Sequence, residues 1–125
     1  MSGVVDEHAA RALFEVTSHR GVVNVRLHGE LDLDTVADLA MALSRLEVDD
    51  GGLVQLDARA VAFIDCSALA VIDRAKHAFA MRGVTLWIVS PTLCVRALLD
   101  MTQSTDLLAP GEARQLGGPE SGEPQ

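Results

Sequence analysis

Hydrophobic and polar positions first alternate along this chain, then recur at helical spacing, and the two patterns take turns to the end. Leu13-Phe14-Glu15-Val16-Thr17 alternates loosely, and Ser18-His19-Arg20-Gly21 follows with Gly21 as the turn residue. Val22 to Leu27 sets Val23, Val25 and Leu27 on one face and Asn24 and Arg26 on the other, the period of a strand. The two runs predict a hairpin. Gly29-Glu30-Leu31-Asp32 breaks the alternation. Asp34 or Thr35 then offers a helix cap. Val36, Leu39, Ala40, Leu43 and Leu46 form one apolar helical stripe, with Asp38, Arg45 and Glu47 off it. Asp49-Asp50-Gly51-Gly52 supplies turn chemistry that ends the helix.

Leu53-Val54-Gln55-Leu56-Asp57 reads as an inner strand, continued by Ala60 to Ile64 after an irregularity at Ala58-Arg59. Asp65-Cys66-Ser67 signals a helix start. Ala68, Val71, Ile72, Ala75 and Phe79 form its buried face, Asp73, Arg74, Lys76 and His77 its wet one, and Gly83 its stop. Val84 to Val89 is the clearest strand. Ser90-Pro91 predicts a third helix with Ser90 as cap, Pro91 at the first helical position, and Cys94, Ala97, Leu98 and Met101 facing the core. Asp106 to Leu108 is expected to add a short edge strand. The order is β-β-α-β-α-β-α, an α/β fold. Strands joined through helices pair in parallel by right-handed crossovers, and the opening hairpin adds an antiparallel edge to this mixed sheet. Residues 1–11 are expected to be a flexible N-terminus, 12–109 the domain, and 110–125 a disordered tail holding three of the four prolines.

Composition narrows the function. At 49% hydrophobic residues, 125 residues can bury a core without a metal or disulfide framework. Ten basic residues against eighteen acidic ones, net charge −8, disfavour direct binding to nucleic acid, which relies on Lys and Arg neutralising phosphates. No apolar run approaches the roughly 18 residues of a membrane span, and the first dozen residues lack a signal-peptide pattern. Two cysteines make no disulfide framework, so a reducing cytoplasm is the expected compartment.

Chemistry in such sheets gathers where strand C-ends meet helix N-ends. Two junctions qualify: Ile64-Asp65-Cys66-Ser67 and Val89-Ser90-Pro91-Thr92. Asp65 reads first as an N-cap. Ser67 reads as a first-turn residue or a phosphorylation site, where about −1.5 to −2 of charge would arrive. Cys66 lies where a helix terminus stabilises thiolate, though Asp65 opposes this. As a catalytic nucleophile it lacks a histidine in a pairing motif. Cys94 reads as a small core residue, or as a redox partner of Cys66 across neighbouring helix starts. No phosphate-binding glycine loop and no metal-ligand spacing is present, so no cofactor or metal is expected. The carboxylate pair Asp32 and Asp34 reads as a solvated loop.

Gly29-Glu30-Leu31-Asp32, Val54-Gln55-Leu56-Asp57, Ala62-Phe63-Ile64-Asp65-Cys66-Ser67-Ala68-Leu69 and the run from Ser90-Pro91-Thr92 to Met101 together resemble a STAS domain. Among STAS domains they look most like the bacterial anti-sigma-factor antagonists. The resemblance spans about residues 12–109. It implies a cytoplasmic binding module, not an enzyme. Such proteins bind an anti-sigma factor, often a histidine-kinase-like serine kinase, and so release a sigma factor. The kinase ends the interaction by phosphorylating the start of the second helix, and a phosphatase resets it. The implied contact surface is Asp32, Asp65, Cys66, Ser67, Ala68 and Leu69, with Ser90 and Thr92 beside them. The chain departs from the family at its switch: Cys66 occupies the usual phosphoacceptor position, and Ala68 the usual glycine. Three versions follow: Ser67 is phosphorylated, Cys66 is a redox switch, or binding is constitutive. A STAS adaptor subunit of a membrane transporter and a thiol redox sensor are the alternative functions.

Overall fold

The computed structural model describes residues 12–112. Strand β1 (Ala12–His19) turns into β2 (Val22–Leu31) through Arg20 and Gly21, both at positive φ. A two-residue turn of that hand matches the twist of the strands it joins. Helix α1 (Val36–Ser44) leads to β3 (Leu53–Ile64), α2 (Cys66–Ala80), β4 (Thr85–Val89) and α3 (Leu93–Met101). The sheet order is β1-β2-β3-β4, antiparallel at β1–β2 and parallel thereafter. The mixed α/β architecture is the one the hydrophobic pattern predicts.

One face of the sheet is the core. Val23, Val54 and Leu86 lie in one cross-strand row, and Val25, Leu56 and Ile88 in the next, all nearly inaccessible to water. Leu39 and Leu43 of α1 and Ala68, Leu69, Val71, Ile72 and Phe79 of α2 close over this core. Gly83, at φ +73°, stops α2, and the Val84 N–H reaches back to the Phe79 carbonyl.

Strand β3 slips against β2 twice. The first slip opposes Ala58-Arg59, at the expected irregularity. Asp57 fixes it: its buried carboxylate accepts the Arg59 backbone N–H at 3.1 Å and the Arg59 Nε at 3.2 Å, with Arg26 Nε 3.8 Å away. A buried carboxylate is tolerated because it is paired and bonded. The second slip inserts Ala62 between residues paired with Gly29 and Glu30, and no sequence signal marked it.

Several expectations are corrected. Strand β2 runs on through Gly29 and Glu30 to Leu31, across the expected break, because it stays paired with β3 as far as Ile64. The third helix starts at Leu93, with Thr92 at the N-cap. Ser90 has φ +53°, which is incompatible with the extended cap conformation. The buried side of α3 is Val95 and Leu99, flanked by Cys94 and Leu98, while Ala97 and Met101 face water. The i, i+4 pair one step round the helix served equally well, and docking on β3 chose it. Thr105–Leu107 is a 3-10 turn, and only Leu108 bridges β4, at Ile88. Residues 110–112, assigned above to the tail, have helical backbone, whereas 113–125, like 1–11, lie outside the described residues.

Candidate functional site: the N-terminal turn of the second helix

Asp65 organises the site. Its backbone is extended, so its side chain folds over the first turn of α2. One oxygen, Oδ1, accepts from Ser67 N–H at 3.0 Å, Ala68 N–H at 3.2 Å and Ser67 Oγ at 2.6 Å. The Ser67 hydroxyl holds the carboxyl below the ordinary aspartate range. Partial burial opposes this shift, and the N–H groups of Ala68, Ser67 and Leu33 reinforce it. Asp65 is therefore an ionised cap at neutral pH, as its sequence position implied.

The Leu33 contact ties a second loop to the first. Leu31 pairs with Ile64, and the Asp65 N–H donates to the Leu31 carbonyl at 3.0 Å. The Asp32–Thr35 loop thus lies beside the start of α2. Asp32 Oδ1 accepts the N–H groups of Asp34 and Thr35 at 3.0 and 3.2 Å. Thr35 occupies the cap position of α1 but does not cap with its hydroxyl. Buried completely, that hydroxyl donates to the Glu30 carbonyl at 2.7 Å and accepts the Asp32 N–H at 3.0 Å. Asp32 and Thr35 are the stitches of this loop, a role that the solvated-loop reading missed.

The third strip comes from α3. Thr92 donates its hydroxyl to the Val61 carbonyl at 3.0 Å, and Cys94 Sγ lies 3.6 Å from the Ala62 carbonyl. These contacts bring Thr92 and Leu93 to the same end of the sheet as Phe63 and Asp65. Ser90 is held from behind: its N–H donates to Glu112 Oε2 at 3.0 Å, and Glu112 Oε1 is 3.7 Å from Arg96.

The predicted site residues differ in exposure. Cys66 faces water, Ser67 is half-buried under its bond to Asp65, and Ala68 and Leu69 are buried, Ala68 completely. The last two support the turn from beneath and contribute no exposed surface. Both thiols are free; Cys94 turns its sulfur toward β3 while Cys66 points outward. Three apolar residues at this end of the sheet are exposed without having stood out in the sequence: Leu33 (73% exposed), Phe63 (48%) and Leu93 (83%). Their only sequence signal was an apolar side chain off the periodic faces. A groove of about 350 Å³ between α1 and α2, floored by Leu43, Val71 and Phe79, lies farther along α2. Among the described residues no cluster of His, Cys, Asp or Glu fits a metal ion, and no helix is long and apolar enough to cross a membrane.

One end of the mixed sheet therefore carries the exposed start of α2, its ionised cap Asp65, and the exposed apolar side chains of Leu33, Phe63 and Leu93. The chain belongs to the STAS domain family, whose pattern matches residues 13–114. Its fold is similar to that of an anti-sigma factor antagonist from Mycobacterium paratuberculosis, at a TM-score of 0.69 and 19% identity over 90% of this chain and 97% of the other. The anti-sigma factor antagonist SpoIIAA, unphosphorylated, gives 0.56 and 22% over 85% and 97%. The Bacillus cell fate determinant SpoIIAA in its phosphorylated form gives 0.52 and 19% over 83% and 98%. No curated protein sequence matches this one.

Proposed function

We propose that this protein is an anti-sigma-factor antagonist: it binds an anti-sigma factor of the serine-kinase type and thereby releases a sigma factor. The observation that carries this reading is the exposure of three apolar side chains, Leu33, Phe63 and Leu93, at the end of the sheet where the Asp65-Cys66-Ser67 turn lies. Apolar side chains exposed at the same end of a sheet as a polar turn suit a protein partner. The similar folds of SpoIIAA in unphosphorylated and phosphorylated forms support the same reading. In this role the domain is a binding module of the cytoplasm, and catalysis belongs to its partner.

Ser67 is the switch residue of this proposal. Phosphoryl transfer from ATP needs a hydroxyl, and the turn offers one at Ser67, while Cys66 has none. The Ser67 proton already points at Asp65 Oδ1, 2.6 Å away. A phosphate on Ser67 would remove that bond and set a dianion beside an ionised carboxylate. The first turn of α2 would then rearrange, and this end of the sheet would lose its fit to the partner. The exposed thiol of Cys66 favours a second reading, in which oxidation acts at the same place.

The test is capture from native lysate by parent, Ser67→Ala, Ser67→Asp and Leu93→Glu proteins, with mass spectrometry of what is retained. The expected result is a histidine-kinase-like anti-sigma factor held by the parent and Ser67→Ala, and lost with Ser67→Asp and Leu93→Glu. Loss from the parent only without reductant assigns the switch to the thiols. Recovery of transporter subunits with no kinase-like protein overturns the proposal in favour of an adaptor.

A further inference from the structure

The two edges of the sheet are treated differently. Beyond β4, Leu108 bridges to Ile88, and the Ala109 N–H donates to the Ile88 carbonyl at 2.9 Å, so that edge is blocked. Beyond β1 nothing pairs among the described residues. Eight consecutive residues of β1 match β2 without a slip. Edge strands are normally protected by lysine, proline, a bulge or a covering element, and β1 has none of the first three. Leu13 and Val16 are each 50% exposed on it, and Phe14 is only partly covered by the core.

We propose that β1 pairs antiparallel with β1 of a second copy of this chain, joining two four-stranded sheets into one of eight. Charge and pleat select both the occupant and the register. The chain carries −8 overall, yet in the β1–β2 hairpin Glu15 and Glu30 are balanced by Arg20 and Arg26, so this edge does not repel its copy. A two-fold axis normal to the sheet keeps each face on its own side, so opposed residues must share a face. Centring on Glu15 would oppose two carboxylates, which is unfavourable. Centring on Val16 places Val16 against its copy, Glu15 against Thr17, and Phe14 against Ser18. It opposes no like charges and extends the apolar core face across the axis. Centring on Thr17 leaves Leu13 and Phe14 without partners.

Analytical ultracentrifugation across a concentration series tests this, followed by disulfide trapping. The expected result is a mass twice that of the chain, reverting to the monomer in Val16→Lys with an unchanged circular dichroism spectrum. Residues opposed in antiparallel strands have Cα atoms about 4.5–5.5 Å apart, within disulfide reach. Val16→Cys, in a chain also carrying Cys66→Ser and Cys94→Ser, should therefore cross-link to a dimer under mild oxidation, and Leu13→Cys in the same background should not. A monomer at every concentration, or a dimer untouched by Val16→Lys, overturns the proposal. A Leu13→Cys cross-link without one at Val16 overturns the register. Capture of the anti-sigma factor by Val16→Lys separates this result from the fate of the functional proposal.

Discussion

Asp65 concentrates three hydrogen bonds on one carboxylate oxygen, and the charge of that oxygen is what makes the cap strong. Its carboxyl releases its proton at lower pH in the folded protein than in the unfolded chain. The stabilisation is therefore complete above the ordinary aspartate value of about 3.9 and is lost as pH falls through the lower folded value. Asp65→Ala is expected to cost about 1 kcal/mol at neutral pH, seen as a fall in the urea midpoint. The gap from the parent should close in acid; a gap of constant size at every pH would mean that the ionised cap is not its source. At this scale the sequence was informative about Asp65, because a cap depends only on neighbours two and three residues along. It placed Thr35 as a possible cap but not its bonds to Glu30 and Asp32, and it was silent about Leu33, because those partners in space are set by the path of a loop.

The elements divide by how local their causes are. The hairpin turn, α1, α2 and β4 lie close to where periodicity put them, since alternation and helical stripes are properties of short windows, whereas β2 runs past its expected end to Leu31. For α3 two stripes were available, and the face against the sheet was decided by docking. Leu99→Ala is expected to cost about 2–5 kcal/mol, as a truncation in a packed core does, whereas Met101→Ala should stay within about 0.5 kcal/mol. Equal effects in chemical denaturation would refute the rotation observed here. The double slip of β3 is similar: Asp57 and Arg59 hinted at the first bulge, but Ala62 carries no mark. Its bulge exists because β2 and β3 must stay paired up to Leu31 and Ile64, where the site begins.

Across the whole molecule, the end of the described chain is fastened to the site end of the sheet. Glu112 takes the Ser90 N–H and faces Arg96, and Ala109 reaches β4. Glu112→Ala is expected to lower stability by about 1 kcal/mol, the scale of a partly exposed charged hydrogen bond. Amide exchange at Ser90 should quicken; unchanged exchange there would show that the latch is not closed in solution. The sequence by itself determined the element order, the core-facing residues of β2 and α2, the cap at Asp65 and the family, because each rests on spacing within a few turns or on motifs in order. Only the tertiary structure decided that Leu33, Phe63 and Leu93 are exposed at the site end of the sheet, that Ser67 is held back while Cys66 faces water, and that among the described residues one edge of the sheet has a partner beyond it and the other has none. Those are relations between residues distant in the chain. They follow from how the strands slip and how the helices dock, and no local pattern encodes them.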